Sequence, residues 1–566
     1  MQDVSTTRQC TKCSRSFNVT AEDMEFYDKV SPEFAGEKYS IPAPTRCPDC
    51  RHQRHTAWCN EQFLYHNTCA LTGKPVISYL PAENPRPVWN FRDWWSDAFN
   101  AFDYGQEIDW TLSVFDQFHN LEKNAPHACV NTDLENENSE YTHYAGHEKN
   151  CYLLFHASYA EDCMYGYGIK KAVSCVDNYY CHESELCFEC IDVKNCYDLA
   201  WCQDCQNCNS CRFIRDCSGC TDCLLSVGLR NKQYCILNEQ FTKEEYLKRK
   251  AELNFGSYEM MNVLLEKYKD LQKNHAWKHV QNEMTENSTG NHLTNAKNCT
   301  DCFDASDIED SKFCNQLQLG VKSCYDIYQF GINIELCYES AQIGYNIYNC
   351  QFCFELLEGC SDLLYCMSCF SCKDCFGCFG LRKAQYCIFN KQYSKEEYEQ
   401  LVPKLIAKMQ ADGQWGEFFP IAHSHCAYNE TTANLWYPLS KEDALIAGYS
   451  WFDNPKNTET YMGPIVELVD DITDVSEDIC NEVLVCEITG KPYKITPQEL
   501  AFYQKMNVPL PRYCYEERHR QRFTKRRGRS LSARQCTKCS KDIYSNYLPE
   551  DSTQVYCEDC YLATAY

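Results

Sequence analysis

Between Cys151 and Cys235 lie 15 cysteines, and every interval between neighbours is 3, 6 or 12 residues. Written in rows of twelve, the first column reads Cys151, Cys163, Cys175, Cys187, Leu199, Cys211, Cys223, Cys235. A small residue recurring at a fixed short period marks a stacked solenoid, in which each row packs on the next. An amphipathic helix would need a period of 3.6, and these rows instead carry Asn, Asp, Ser and Gly at a steady pace among β-formers. The expected fold is therefore mainly β, with two parallel β-helices of 12-residue coils. Coils that short enclose little volume, so the inward column must be small, and equivalent Cα atoms in successive coils should stand about 4.8 Å apart.

The pattern occurs twice. Gly228-Leu-Arg-Asn-Lys-Gln-Tyr-Cys235-Ile-Leu-Asn is nearly copied by Gly380-Leu-Arg-Lys-Ala-Gln-Tyr-Cys387-Ile-Phe-Asn. The second block, Cys299 to Cys387, holds 14 cysteines with looser intervals of 10, 13 and 7, which read as single-residue bulges or turn insertions. Each block runs into a capping-box helix start, Thr242-Lys-Glu-Glu and Ser394-Lys-Glu-Glu, suited to covering an open strand edge.

Three roles suit the internal thiols. They can be small apolar filler. Sulfurs of neighbouring coils can close thiolate sites for zinc or iron-sulfur clusters, the richest runs being Cys202, Cys205, Cys208, Cys211, Cys217, Cys220 and Cys223, and Cys366, Cys369, Cys372, Cys375 and Cys378. They can also form cross-coil disulfides, since a spacing of about 4.8 Å lies inside the range a disulfide spans.

At the ends of the chain the cysteines pair as C-x2-C. Cys10, Cys13, Cys47 and Cys50 form one set and Cys536, Cys539, Cys557 and Cys560 another, each giving zinc the four soft ligands of a tetrahedral site. Two structural zinc ions follow. A third copy spans Cys486 to Cys514: Thr496-Pro-Gln-Glu-Leu-Ala-Phe-Tyr echoes Thr20-Ala-Glu-Asp-Met-Glu-Phe-Tyr, but Thr489 and Glu517 stand where Cys13 and Cys50 stand. Two sulfurs cannot fill four positions, so this copy is expected to be metal-free, unless Cys480 or a histidine completes it.

With 566 residues the chain should divide into several units. The motifs place a zinc ribbon at 1–80, a Trp-rich helical segment at 81–138, the first solenoid at 139–238, a helical cap at 239–286, the second solenoid at 287–390, a cap and linker at 391–480, the degenerate ribbon with a basic segment at 481–530 and the second zinc ribbon at 531–566. Trp89, Trp94, Trp95 and Trp110 read as core anchors. The formal charge of −26 disfavours a nucleic-acid surface spread over the whole molecule. Only the basic run Arg518 to Arg529 is a local candidate for phosphate binding, and its rivals are a solvated linker or docking on the protein's own acidic surface, such as Glu467 to Glu482. The N-terminus lacks a secretory signal and no long apolar run appears, so the expected compartment is the reducing cytoplasm. His423-Ser-His-Cys426 offers metal-ligand types without a partner pair. No phosphate-binding loop, dinucleotide fingerprint, His-Glu-x-x-His or Gly-x-Ser-x-Gly elbow is present, and no catalytic residue can be nominated. The expected function is a non-enzymatic multi-zinc scaffold for a protein partner, the alternatives being metal-thiolate storage or redox work and a nucleic-acid- or ribosome-associated role.

These motifs together, with Phe26-Tyr27, Pro44-Thr45-Arg46-Cys47-Pro48, Cys69-Ala-Leu-Thr-Gly-Lys, Trp94-Trp95-Ser-Asp, Ala427-Tyr-Asn-Glu-Thr and Val555-Tyr-Cys557-Glu-Asp-Cys560, carry a resemblance over nearly the whole length. The chain resembles the uncharacterised cysteine-rich zinc-ribbon proteins encoded by candidate-phyla (Patescibacteria-type) bacteria. The resemblance implies this architecture and zinc, and no activity. Where such proteins often carry Arg, this chain has Cys59.

Overall fold

The computed structural model describes residues 6–331, 341–344, 359–454 and 461–565. The chain divides into two compact units, each assembled from distant stretches: Met1–Cys129, Val280–Phe452 and Arg529–Leu531 in unit 1, and Val130–His279, Asp453–Gly528 and Ser532–Tyr566 in unit 2.

Unit 2 is built around a ladder of short parallel strands running from Thr142–Gly146 to Gln233–Ile236. Neighbouring strands pair twelve residues apart, as in Tyr152 with Met164, Cys205 with Cys217 and Cys223 with Cys235. The sequence period is thus the pairing register. Within each row the backbone turns every three residues through a left-handed position: Asn150, Leu153, His156, Tyr159, Asp162 and Tyr165 all have φ between 49° and 57°. Asn, Asp and Gly accept this conformation cheaply, whereas a bulky residue pays roughly 1–2 kcal/mol. Ring stacking between rows offsets that cost: Trp201 lies on Phe213 with centroids 4.6 Å apart, and His147 on Tyr159 at 4.5 Å.

The cysteines point into the ladder and are almost fully buried. Most of them share one hydrogen-bonding pattern, in which Sγ faces the carbonyl two residues back and the carbonyl nine residues on. Cys163 meets Glu161 O at 3.3 Å and Ala172 O at 3.5 Å, and Cys205 meets Gln203 O at 3.1 Å and Ile214 O at 3.6 Å. A thiol therefore fills the narrow interior and gives its proton to carbonyls that pleated pairing alone leaves underused. Burial pushes Cys163, Cys190, Cys202, Cys205 and Cys217 well above the usual thiol range, so these groups stay protonated. No disulfide joins two cysteines among the described residues.

Unit 1 holds the second ladder. Gly290 pairs with Cys302 at the twelve-residue register, but Ile308 pairs with Val321 and Asn315 with Tyr328, thirteen apart. The extra residue sits at Leu319-Gly320, where two consecutive positions have positive φ. This insertion accounts for the interval of 10 between Cys314 and Cys324. The looser intervals beyond it involve Cys337, Cys350 and Cys353, which lie outside the described residues. From Ser361 the twelve-residue register returns, with Ser361 on Lys373 and Cys375 on Cys387.

Both ladders finish alike. A two-residue strand turns back antiparallel on the last row, Glu239–Gln240 in one and Lys391–Gln392 in the other. Helices Lys243–Ala251 and Lys395–Ala411 follow, each opened by its capping box and anchored by a buried tyrosine, Tyr246 and Tyr398. The edge is closed by this hairpin as well as by the helix. Of the four tryptophans, Trp94 is buried, Trp89 and Trp95 pack partly against the core and Trp110 stands 46% exposed, so Trp110 is not a core anchor. No helix among the described residues is long and apolar enough to cross a membrane.

Candidate metal centres

Four short antiparallel hairpins share one backbone design: Thr6–Gln9 with Ser16–Val19, Tyr65–Thr68 with Pro75–Ser78, Leu484–Val485 with Pro492–Tyr493, and Ser532–Gln535 with Asp542–Ser545. At each turn the first cysteine's N–H donates to the carbonyl five residues on. Its carbonyl accepts from the N–H four residues on, where the chain is left-handed. Cys10 thus bonds Arg15 and Ser14, Cys69 bonds Lys74 and Gly73, Cys486 bonds Lys491 and Gly490, and Cys536 bonds Lys541 and Ser540, all at 2.8–2.9 Å. The next residue straps the turn to the segment carrying the second pair: Thr11 N to Thr45 O, Ala70 N to Val88 O, Glu487 N to Arg512 O and Thr537 N to Val555 O. In the first three the second pair opens a helix with the N-cap at Cys47, Asn90 or Cys514. Cys557 directly precedes helix Glu558–Ala565.

The four-position sets are therefore Cys10, Cys13, Cys47 and Cys50; Cys69, Thr72, Asn90 and Asp93; Cys486, Thr489, Cys514 and Glu517; and Cys536, Cys539, Cys557 and Cys560. The first and last bring all four sulfurs within 4.8 Å of one another. Tetrahedral sulfurs about 2.3 Å from one ion stand about 3.8 Å apart; Cys13 and Cys47 are 3.7 Å apart and Cys539 and Cys557 3.8 Å. The donor set and its spacing thus fit a four-coordinate thiophilic cation. Thiolate character is favoured at Cys47 and Cys536 and opposed at Cys50, raised by its hydrogen bond with Cys47, and at Cys560, raised by burial. A hydrogen bond from Cys50, working against burial, brings Cys47 down to about 5; at Cys536 burial is outweighed by the backbone groups of Cys557, Cys539 and Lys538, giving about 6. Around the first set Arg15 Nε lies 3.4 Å from Cys13 Sγ, and its other end pairs with Asp49 at 2.8 Å.

In the third set Thr489 Oγ1 lies 3.6 Å from Cys514 Sγ, and Glu517 turns away to Arg520 and Gln521. The second set went unread in the sequence, because one cysteine and no C-x2-C is a weak signal. The usable clue was that Cys69-Ala-Leu-Thr-Gly-Lys74 matches Cys486-Glu-Ile-Thr-Gly-Lys491. The boundary drawn at residue 80 falls inside this module.

The internal runs behave differently. The sulfurs of Cys202 to Cys223 and of Cys366 to Cys378 do not gather three together within 4.8 Å, whereas Cys175, Cys181 and Cys187 do. His423 stacks on His119 at 4.3 Å and His425 packs on Trp58, Tyr79 and His127; with Cys426 they form no ligand group among the described residues.

Each unit's ribbon helices grip its own ladder. Arg51, next to Cys50, makes a fully buried ion pair with Asp326 at 2.8 Å, and His52 packs on Tyr328. Arg518, next to Glu517, pairs with buried Asp177 at 2.8 Å, and His519 packs on Tyr179. Farther along, Arg382 lies over Trp94 and Arg230 over Tyr561. The basic run is drawn into this contact: Arg522 reaches Asp177 and Glu189, Arg526 reaches Asp192, Arg527 reaches Asp551, and Arg529 reaches Asp304. The acceptors are ladder carboxylates and Asp551, not the 467–482 stretch.

No protein-family model matches the chain, and no curated protein matches it.

Proposed function

We propose that the protein is a non-enzymatic, metal-stabilised scaffold holding two structural zinc ions, one at Cys10, Cys13, Cys47 and Cys50 and one at Cys536, Cys539, Cys557 and Cys560. The observation that carries this reading is the pair of four-thiol sets at tetrahedral sulfur spacing. The strand ladders would close into parallel β-helices whose outer faces receive a protein partner. Support comes from two separate pairing series through the same rows, Tyr179 with Ile191 and Glu185 with Tyr197, which engage successive rows on more than one face. Most internal thiols are hydrogen-bonded to carbonyls, and those that burial holds protonated, such as Cys190, Cys202 and Cys205, suit filler and a reducing compartment such as the cytoplasm. The likeness to the Patescibacteria-type zinc-ribbon proteins belongs to the same proposal and brings zinc without an activity. Elemental analysis of chain purified under reducing conditions should give two zinc per chain, falling to one in Cys50→Ser and one in Cys560→Ser. No zinc, or bound iron with visible absorption, would refute it.

Binding of nucleic acid through Arg518 to Arg529 is the second reading. Its support is the exposure of Arg520 and Lys525, whose pairs with Glu517 and Glu189 leave about half of each side chain open, while Arg522, Arg526 and Arg529 are buried against carboxylates. Salt-dependent RNA binding lost in Arg520→Ala with Lys525→Ala would favour it.

A further inference from the structure

Row Cys175 to Leu186 differs from its neighbours inside the first ladder. Its inward residues are Cys175, Asn178, Cys181 and Ser184, all buried. The row before it presents Ile169 and the row after it Val193, branched side chains that occupy the centre. With no aliphatic residue of its own, this row leaves room for sulfurs to converge. The two polar side chains are committed to the backbone: Asn178 donates to Cys187 O at 2.7 Å and accepts from Cys190 N at 2.8 Å, and Ser184 accepts from Cys196 N at 3.1 Å. They do not compete for the thiols. Cys181 also breaks the prevailing pattern, since its sulfur meets Cys175 Sγ, 3.9 Å away. Cys187, one row above Cys175, completes a group in which all three sulfurs lie within 4.8 Å of one another.

We infer that Cys175, Cys181 and Cys187 form an internal three-sulfur site for a soft monovalent cation, cuprous ion being the chemical match. Three sulfurs in one plane around an ion about 2.3 Å from each stand about 4.0 Å apart, which the 3.9 Å separation of Cys175 and Cys181 meets. A four-coordinate divalent ion would need one more ligand, and no fourth His, Cys, Asp or Glu among the described residues lies within 4.8 Å of all three sulfurs, Cys163 meeting Cys175 and Cys190 meeting Cys187 from outside the group. Thiolate donors at low coordination number favour Cu(I). The ion replaces thiol protons, which pass to solvent, and the burial of the site means that loading accompanies folding. The site is separate from the terminal zinc sets and does not depend on their being filled.

The test refolds the full chain anaerobically with saturating zinc and cuprous ion, then challenges it with a Cu(I) chelator and measures both metals. The expected result is one retained copper per chain with zinc unchanged, and at least a tenfold loss of copper retention in Cys181→Ser and in Cys187→Ser. Copper that is not retained, that is retained equally by these variants, or that enters only as zinc leaves would overturn the inference. Should the variants fail to fold, X-ray absorption at the copper edge of the unaltered chain decides: three sulfurs at a single distance support the site, and two or four sulfurs refute it. Zinc content measured in the same samples separates this outcome from failure of the terminal sites.

Discussion

The two units carry the same parts with the intact and the degenerate modules exchanged. In unit 1 the first module keeps four cysteines and the second has Cys69, Thr72, Asn90 and Asp93. In unit 2 the first has Cys486, Thr489, Cys514 and Glu517, and the second keeps four cysteines. The grip on the ladder is nevertheless the same, Arg51 on Asp326 and Arg518 on Asp177. The comparison teaches that the hairpin turn and the ladder clamp survive without sulfur at all four positions. In the degenerate modules hydrogen bonds hold the turn, such as Asn90 N to Cys69 Sγ at 3.2 Å and Thr489 Oγ1 against Cys514 Sγ. What the full sulfur set adds is four soft donors that could hold a cation.

The strongest way to break this comparison is to remove one ligand from each kind of module. Cys47→Ser should abolish one zinc site and, because structural zinc can supply on the order of 10 kcal/mol to a small domain, expose 6–56 to proteolysis. Cys514→Ser at the matching place in unit 2 should leave the zinc count unchanged and cost about 1 kcal/mol in chemical denaturation. Loss of a zinc from both would show that the third set binds metal after all. Next come the clamps. Arg51→Met removes the buried ion pair to Asp326 and should cost about 3–5 kcal/mol, whereas Arg518→Met leaves Asp177 paired with Arg522 and should cost less.

A pH effect of comparable size separates the two ladders. Glu148, buried at the start of the first, has its carboxyl pushed up to about 8 by burial, while the matching place before Cys299 is Ala296. The folded chain therefore holds a proton that the unfolded chain releases near 4.5. Stability from this group is complete below about pH 4.5 and declines by up to about 1.4 kcal/mol per unit as pH rises toward 8. Glu148→Gln should flatten that decline in denaturation measured from pH 5 to 8; an unchanged slope would sink the assignment. The smallest effect is expected at Arg15, which donates to Cys13 Sγ in the first four-thiol set. Arg15→Ala should weaken zinc there about tenfold in a chelator competition and leave the Cys536 set unaltered.

Much of this was legible in one dimension. Pairing with a fixed register forces the same small residue to return every twelve positions, so Cys205 over Cys217 could be read from spacing alone. A tetrad needs two close pairs, and both intact sets announced themselves as C-x2-C. The second module did not, because a turn held by backbone hydrogen bonds needs only Cys69 and a left-handed Gly73. Nor could the spacing of Cys202 to Cys223, dense as it is, say that those sulfurs face carbonyls and pair with one another without three of them gathering within 4.8 Å.

The sequence by itself determined the period, the small interior column, the turn chemistry and the eight terminal sulfurs, since each is a local demand of backbone geometry or of a tetrahedral ion. Only tertiary structure decided which stretches join into one unit, which carboxylates absorb the basic run and which three inner thiols converge. The first two depend on groups brought together from hundreds of residues apart, as when Arg522 meets Glu189, 333 positions away, and the third on side-chain volume within neighbouring rows, where Cys181 reaches Cys175.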